Sequence, residues 1–292
     1  MSETENHQPL FLTTKEVADL LRVKERKVYD LAAANEIPHR RITGKLLFPA
    51  EAIRSWIGGT EDAATADRPN VLAGSHDPLL DWAIKASNCG LATLCNGSRD
   101  GLDQFSSGNA ALAGIHMPED DGWNISAVSN AGLTGCVLLN WAVRKRGLLV
   151  SGDAADDIRS VADLEGRRVA LRQPGAGTAL LFARLLGEAG LSETDLELSK
   201  DQAHTESDAA AAVAAGDVDA TLGIEAMARQ FKLTFLPLAD ESFDLLIDRK
   251  SYFTDPVQTL FGFAQKPDLE EKAKTLGGYD LQGLGTVRWL SA

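Results

Sequence analysis

Cysteine, long apolar runs and basic charge are all scarce in this 292-residue chain. Its three cysteines, Cys89, Cys95 and Cys136, are too few and too irregularly spaced for a disulfide framework or a zinc site. They read as buried small residues or free thiols. No stretch of roughly 18 apolar residues occurs, so no membrane-spanning helix is expected. The opening MSETENHQPL is polar and acidic. It lacks the basic start and the roughly 7–15-residue apolar stretch of a secretory signal, and a cytoplasmic location is expected. Catalytic signatures are missing as well. There is no Ser-x-x-Lys, Gly-x-Ser-x-Gly, His-Glu-x-x-His or Cys–His arrangement, and the acidic residues show no spacing that marks acid/base work. A non-enzyme with no catalytic residue, no cofactor and no metal site is the expectation.

The net charge of −13 excludes a protein that coats nucleic acid over its whole surface. The charge is unevenly placed. Residues 1–60 carry nine Lys/Arg and eight Asp/Glu, a net of +1, and the remainder carries 20 against 34, a net of −14. A local DNA-contacting face on an acidic body follows from that asymmetry.

Within the first sixty residues, Thr13 or Thr14 can cap a helix, and Glu16 stands three after Thr13 as in a capping box. Val17, Leu20 and Leu21 are expected on its inner face. A second helix is expected from about Lys24 to Asn35, with Val28, Leu31 and Ala32 inward and Lys24, Arg26, Lys27 and Tyr29 outward. After Pro38, His39–Ile42 alternates as a strand. Thr43-Gly44-Lys45 turns, Leu46–Phe48 returns, and residues 49–57 read as a closing helix with Pro49 near its first turn. Two short helices, a basic hairpin and a closing helix make a winged helix-turn-helix. Its second helix would enter the major groove, and Arg40, Arg41 and Lys45 on the hairpin would lie near phosphates or the minor groove.

The stretch LTTKEVADLLRVKERKVYDLAAANEIPHRRITGKLLFPAEAIRSWI resembles the excisionase/MerR-like DNA-binding family over nearly the whole unit. The resemblance implies a double-stranded DNA partner. The domain is expected to span residues 1–58, followed by a linker over 59–69 in the small, polar GGTEDAATADRP region.

From Val71 onward strand and helix signals alternate, which predicts α/β organisation over residues 70–292. Strands are expected at 71–74, 91–95, 110–115, 137–139, 148–150, 167–172, 220–224, 235–238 and 243–247, with helices at 79–86, 179–189, 208–215 and 266–276. Three strand-to-helix turns share a small, hydroxyl-bearing character: Gly74-Ser75-His76, Asn96-Gly97-Ser98 and Gln173-Pro174-Gly175-Ala176-Gly177-Thr178. Such turns lie where open α/β sheets bind ligands, and free helix N-termini favour an anion. The third turn fits neither a P-loop nor a dinucleotide fingerprint.

The blocks VLAGSHDPLLDWA, NGSRDGLDQFSSGNAALAGIH, LRQPGAGTALLF and AAAVAAGDVDATLGIEAMARQFKLTFLPLADESFDLLI look like the PBP-like domain related to type II periplasmic binding proteins. The resemblance implies a two-lobed, type II solute-binding-protein-like domain that holds a small ligand. Ser75, Ser98, Gly177 and Thr178 resemble its ligand-holding positions, and Glu225 would stand at the cleft. His76, Arg99, His116, Gln173, Gly175 and Ala176 complete the expected ligand-binding set, and Arg172 flanks it. Relatives linked to molybdenum metabolism imply an oxyanion such as molybdate or tungstate. Asp77 and Glu225 fit that poorly, because negative charge near a desolvated dianion repels it. A small organic acid, a sulfonate or an amine-bearing metabolite is the alternative ligand. A binding module of molybdenum-cofactor metabolism without regulation is the alternative role. Trp123 and Trp141 read as core. A homodimer or higher homo-oligomer without membrane contact is expected, because one small helix-turn-helix buries too little surface for specific affinity.

Overall fold

The computed structural model describes residues 10–21, 23–34, 37–42, 45–50, 52–53, 67–199 and 202–291. The chain divides into two compact units, residues 1–66 and 67–292.

In the first unit, strand β1 (Phe11–Thr13) leads into α1 (Thr14–Leu21), then α2 (Glu25–Ala33), β2 (Arg40–Ile42) and β3 (Lys45–Pro49). The capping box forms: the Thr13 backbone N–H donates to Glu16 Oε2 at 2.7 Å, and the Glu16 N–H donates to Thr13 Oγ1 at 3.3 Å. Val17, Ala18, Val28, Ala32, Phe48 and Ile53 build a small core. Leu20, expected inward, is 51% exposed. At 100° per residue, Val17, Ala18 and Leu21 define the inner face and Leu20 falls on its flank. Strand β1 is an addition to the sequence reading. It pairs antiparallel with β3, giving the order β1-β3-β2. Turn residues Thr43 and Gly44, most of the closing helix (Glu51 and 54–57) and linker residues 58–66 lie outside the described residues.

The second unit has two lobes that share two long strands. Lobe 1 holds β4 (Val71–Gly74), α3 (Pro78–Ser87), β5 (Ala92–Leu94), α4 (Ser98–Ser106) and β6 (Leu112–Ile115). Lobe 2 holds β7 (Arg168–Ala170), α5 (Gly177–Glu188), β8 (Glu197–Leu198), α6 (Glu206–Ala215), β9 (Ala220–Ile224) and α7 (Glu225–Phe231). The shared strands are β10 (Cys136–Val150) and β11 (Thr234–Asp248), 15 residues each and antiparallel to one another. The Cys136 end of β10 and the Asp248 end of β11 lie in lobe 1, where β11 pairs with β6. The Val150 end of β10 pairs with β9 in lobe 2.

The sequence signals strand only at 137–139 and 148–150, and at 235–238 and 243–247; in the structure each pair is one continuous strand that also takes in Asn140–Gly147 or Ala239–Ser242. Those stretches are charged and look like connections. They remain strand where the chain crosses between lobes: Arg144, Arg146 and Glu241 pair in the buried interior, and Lys145 meets Asp240 on the exposed face. Helix α8 (Asp255–Ala264) was also missed, and it supplies Val257, Leu260 and Phe261 to the lobe 1 core. The C-terminal segment after α9 (Pro267–Leu276) returns to lobe 1. There, strands β12 (Tyr279–Asp280) and β13 (Val287–Leu290) pair with β10. Trp141 is in the lobe 1 core and Trp123 in the lobe 2 core, both as packing residues.

Candidate functional site

Alternation along β10 puts Arg144 and Arg146 on the same face, and Glu241 of β11 lies opposite Arg144 in register. All three side chains are buried. Arg144 donates through Nε to Glu241 Oε1 at 2.8 Å and through Nη1 to Asp77 Oδ2 at 3.0 Å. Its guanidinium lies over the Phe243 ring, 4.4 Å from the centroid. Arg146 ion-pairs with Glu241 and with Glu206 at the head of α6, the latter at 3.1 Å. It also donates to Thr178 Oγ1 at 3.0 Å. From lobe 2, Arg172 pairs with Glu206 at 3.1 Å and donates to the carbonyls of Ala203 and His204, which fixes the approach to α6.

Lobe 1 contributes two serine hydroxyls and the histidine. Ser75 and Ser98 share a hydrogen bond, Oγ to Oγ, at 2.9 Å. The His116 backbone N–H donates to Ser98 Oγ at 3.0 Å, and its Nδ1 meets Glu241 Oε2 at 2.9 Å. The lobes touch at this point. A Cβ added to Gly177 would lie 2.2 Å from the His116 carbonyl oxygen, so only glycine permits the approach. Gly97, with φ +107, turns the chain into α4 facing the backbone of Gly175 and Ala176. Neither α4 nor α5 has a side-chain cap at its N-terminus. The neighbouring α3 and α6 do, through Asp77 and Thr205.

Protonation follows from these contacts. Burial alone would raise the Glu206 carboxyl, but the Arg146 and Arg172 guanidiniums outweigh it and bring its pKa down to about 2. For Glu241, burial is likewise outweighed by Arg144 and Arg146, and the carboxyl titrates well below the ordinary range. Burial lowers His116 despite the Glu241 carboxylate, so the ring is neutral at pH 7. Burial also pushes the Tyr279 phenol well above its usual value, helped by Asp77, to whose Oδ2 it donates at 2.8 Å.

Of the expected ligand set, the structure brings Ser75, Ser98, His116, Gly177 and Thr178 together as buried or close-packed parts of the seam. Gln173, Gly175 and Ala176 border it on the lobe 2 turn, and Gln173 Oε1 accepts from Arg172. His76 is half-buried, with Nδ1 unpartnered among the described residues. Arg99 is exposed. Glu225 stands at the start of α7. Its carboxylate is held by Arg229, four residues on in α7, at 2.8 Å, and among the described residues it makes no ion pair with Arg144, Arg146 or Arg172. The acidic residue that lobe 2 supplies is Glu206. The reading missed Arg144, Arg146, Glu206 and Glu241. The Arg-x-Arg spacing of Arg144 and Arg146 is the one local signal, since period-two alternation puts both on one face if the stretch is strand.

In the first unit, Lys24, Arg26, Lys27 and Tyr29 are exposed on or beside α2, as are Arg40, Arg41 and Lys45 on the hairpin. Thr13, Lys15, Tyr29, Arg41 and Lys45 help line a groove of about 470 Å³ between α2 and the hairpin. Among the described residues no helix is long and apolar enough to cross a membrane, and no His/Cys/Asp/Glu group could hold a metal.

The fold and the seam define a two-lobed binding-protein domain carried with a helix-turn-helix. The PBP superfamily domain model matches residues 82–265, more than half of the chain, and a helix-turn-helix domain model matches residues 11–60. The chain belongs to the PBP superfamily domain family. It is 25% identical to the uncharacterized protein YvgK of Bacillus subtilis (strain 168), over 98% of this chain and 99% of that protein. Among solved structures, it is similar to the alkanesulfonate-binding protein SsuA from Xanthomonas axonopodis pv. citri, bound to MOPS. Identity is 22%, coverage is 72% of this chain and 79% of that one, and the TM-score is 0.44. It is also similar to an H2O2-bound mutant of OxyR from Corynebacterium glutamicum, at 12% identity, 90% and 89% coverage and a TM-score of 0.49.

Proposed function

We propose that the chain is a cytoplasmic, non-enzymatic, ligand-responsive transcription regulator. Its N-terminal helix-turn-helix binds double-stranded DNA, and its two-lobed domain holds a small ligand at the seam between the lobes. The observation that carries this reading is one buried network drawn from both lobes: Ser75 meets Ser98, the His116 amide donates to Ser98, His116 meets Glu241, and Glu241 and Thr178 both meet Arg146. Two uncapped helix N-termini flank them. A ligand that binds one lobe arrangement better than another shifts the balance between them, and a homodimer converts that shift into altered half-site fit.

The oxyanion is the weaker ligand class. Asp77, Glu206 and Glu241 stand among the arginines, so no unmatched positive charge awaits a dianion. A small organic ligand suits the seam better. The test is fluorescence anisotropy of DNA from upstream of the chain's own gene, titrated with full-length protein. The titrations are repeated with molybdate, tungstate, sulfate, taurine and small carboxylates. Salt-dependent DNA binding that at least one compound shifts is expected. Absence of DNA binding by the folded protein would overturn the regulator.

A further inference from the structure

We propose that the seam takes a small zwitterion, carrying one ammonium and one acid group, at the junction of Glu206 with Arg146 and Arg172. The inference rests on the seam being the sensor site and names the class of molecule it selects.

Three observations lead there. The first is charge. Three guanidiniums, Arg144, Arg146 and Arg172, meet three carboxylates, Asp77, Glu206 and Glu241, and their ion pairs link them into one buried set. His116 adds no charge while neutral. A net anion entering this set would leave one buried negative charge uncompensated, and a net cation one positive charge. Either costs far more than a neutral exchange.

The second is unused capacity. Asp77 is committed, capping α3 through Oδ1 and taking Arg144 and Tyr279 on Oδ2. Glu241 is saturated by Arg144, Arg146 and His116. Glu206 differs. Oε1 takes Arg146, Arg172 and the Thr178 hydroxyl, while Oε2 is buried and has no hydrogen-bond partner among the described residues. A carboxylate oxygen in that position suits an ammonium donor.

The third is the donor set on the other side of the same pair. The Arg146 and Arg172 guanidiniums, the Thr178 hydroxyl and the uncapped start of α5 can all serve an acid group. An inserted zwitterion replaces Glu206 as acceptor for the two arginines and returns an ammonium to Glu206. The buried charge count is unchanged.

Calorimetry on the full-length protein tests this with matched pairs. Taurine is compared with ethanesulfonate and β-alanine with propanoate, alongside the proteinogenic amino acids and molybdate. At least one zwitterion is expected to bind on the order of 100-fold tighter than its amine-less twin. Its binding enthalpy should not depend on the ionisation enthalpy of the buffer, since no proton need be taken up. Glu206→Gln should collapse that preference to within roughly tenfold. The wild-type comparison stands even if the variant folds poorly. Equal or tighter binding of ethanesulfonate, propanoate or molybdate overturns the zwitterion while leaving a seam sensor intact. Binding by none of the zwitterions overturns it too, and the DNA titration then decides the regulator separately.

Discussion

Arg146 of β10 and Glu206 of α6 meet at 3.1 Å, and both side chains are almost fully buried. Neither charge could stay there alone. The pair ties a strand shared by the lobes to a helix that belongs to one of them, so its loss is felt in folding as well as in any ligand response.

Removing one partner leaves a buried charge without compensation. Arg146→Ala is expected to destabilise the large unit by about 3–5 kcal/mol in urea unfolding. Arg146→Met combined with Glu206→Gln should cost less than the sum of the two single changes, because the second removes the charge stranded by the first. Strict additivity would show that the two side chains do not act as a pair.

Acidification should act through the same set. Glu206, at about 2 in the fold against an ordinary 4.5, contributes stability that is complete above pH 4.5 and is lost as pH falls toward 2. Glu241 is lowered in the same sense. His116 is lowered from 6.5, so the unfolded chain takes its proton first and stability begins to decline below about pH 6.5. A two-stage acid limb in thermal melts is expected, with a shallow decline beginning near pH 6.5 and a steep one below about 4.5. His116→Gln should remove the shallow stage and keep the steep one. A wild-type melting temperature that stays flat from pH 7 to pH 3 would contradict this assignment.

The lobes' close approach gives a third prediction. An added methyl at residue 177 meets a backbone oxygen, not the end of a movable side chain. Gly177→Ala should therefore cost about 1–3 kcal/mol and separate α5 from His116. Thermal unfolding reads the first effect. The second appears as faster hydrogen exchange at the His116 amide, which is held by Ser98. Wild-type stability together with unchanged exchange would mean that the seam is looser than its geometry.

Much of this was legible in the residues, and what was not has a common cause. The capping box at Thr13 and Glu16 is a local contact, so the order of the residues reveals it. The three turns at Ser75, Ser98 and Thr178 were legible for the same reason. The middles of β10 and β11 were not. Arg144-Lys145-Arg146 and Asp240-Glu241 have the composition of loops, and only partners about 95 residues apart in sequence make them strand. Glu225 shows a different kind of signal. It stands where the family resemblance puts a cleft residue, and in the structure its carboxylate meets Arg229 four residues on, a local contact that the i,i+4 spacing makes legible. The cluster joins residues from both lobes and both shared strands, so it could be located only after the topology was known.

The DNA face can be tested without reference to the ligand. Arg26 on α2 and Arg40 on β2 are exposed. Their loss should leave the fold intact, with thermal unfolding shifted by less than about 0.5 kcal/mol. If each meets one phosphate, each Arg→Ala change weakens DNA binding across all sequences and lowers the slope of log K against log salt by about 1. If one of them reads a base edge, the loss is concentrated on the preferred sequence, at about 1–3 kcal/mol, and specificity relaxes at one position. Arg168→Ala removes an exposed lobe 2 arginine already paired with Asp219, and it should change neither affinity nor slope. Anisotropy titrations at several salt concentrations separate these outcomes. A slope that stays the same in both first-unit variants but falls in Arg168→Ala would move the DNA face off the helix-turn-helix.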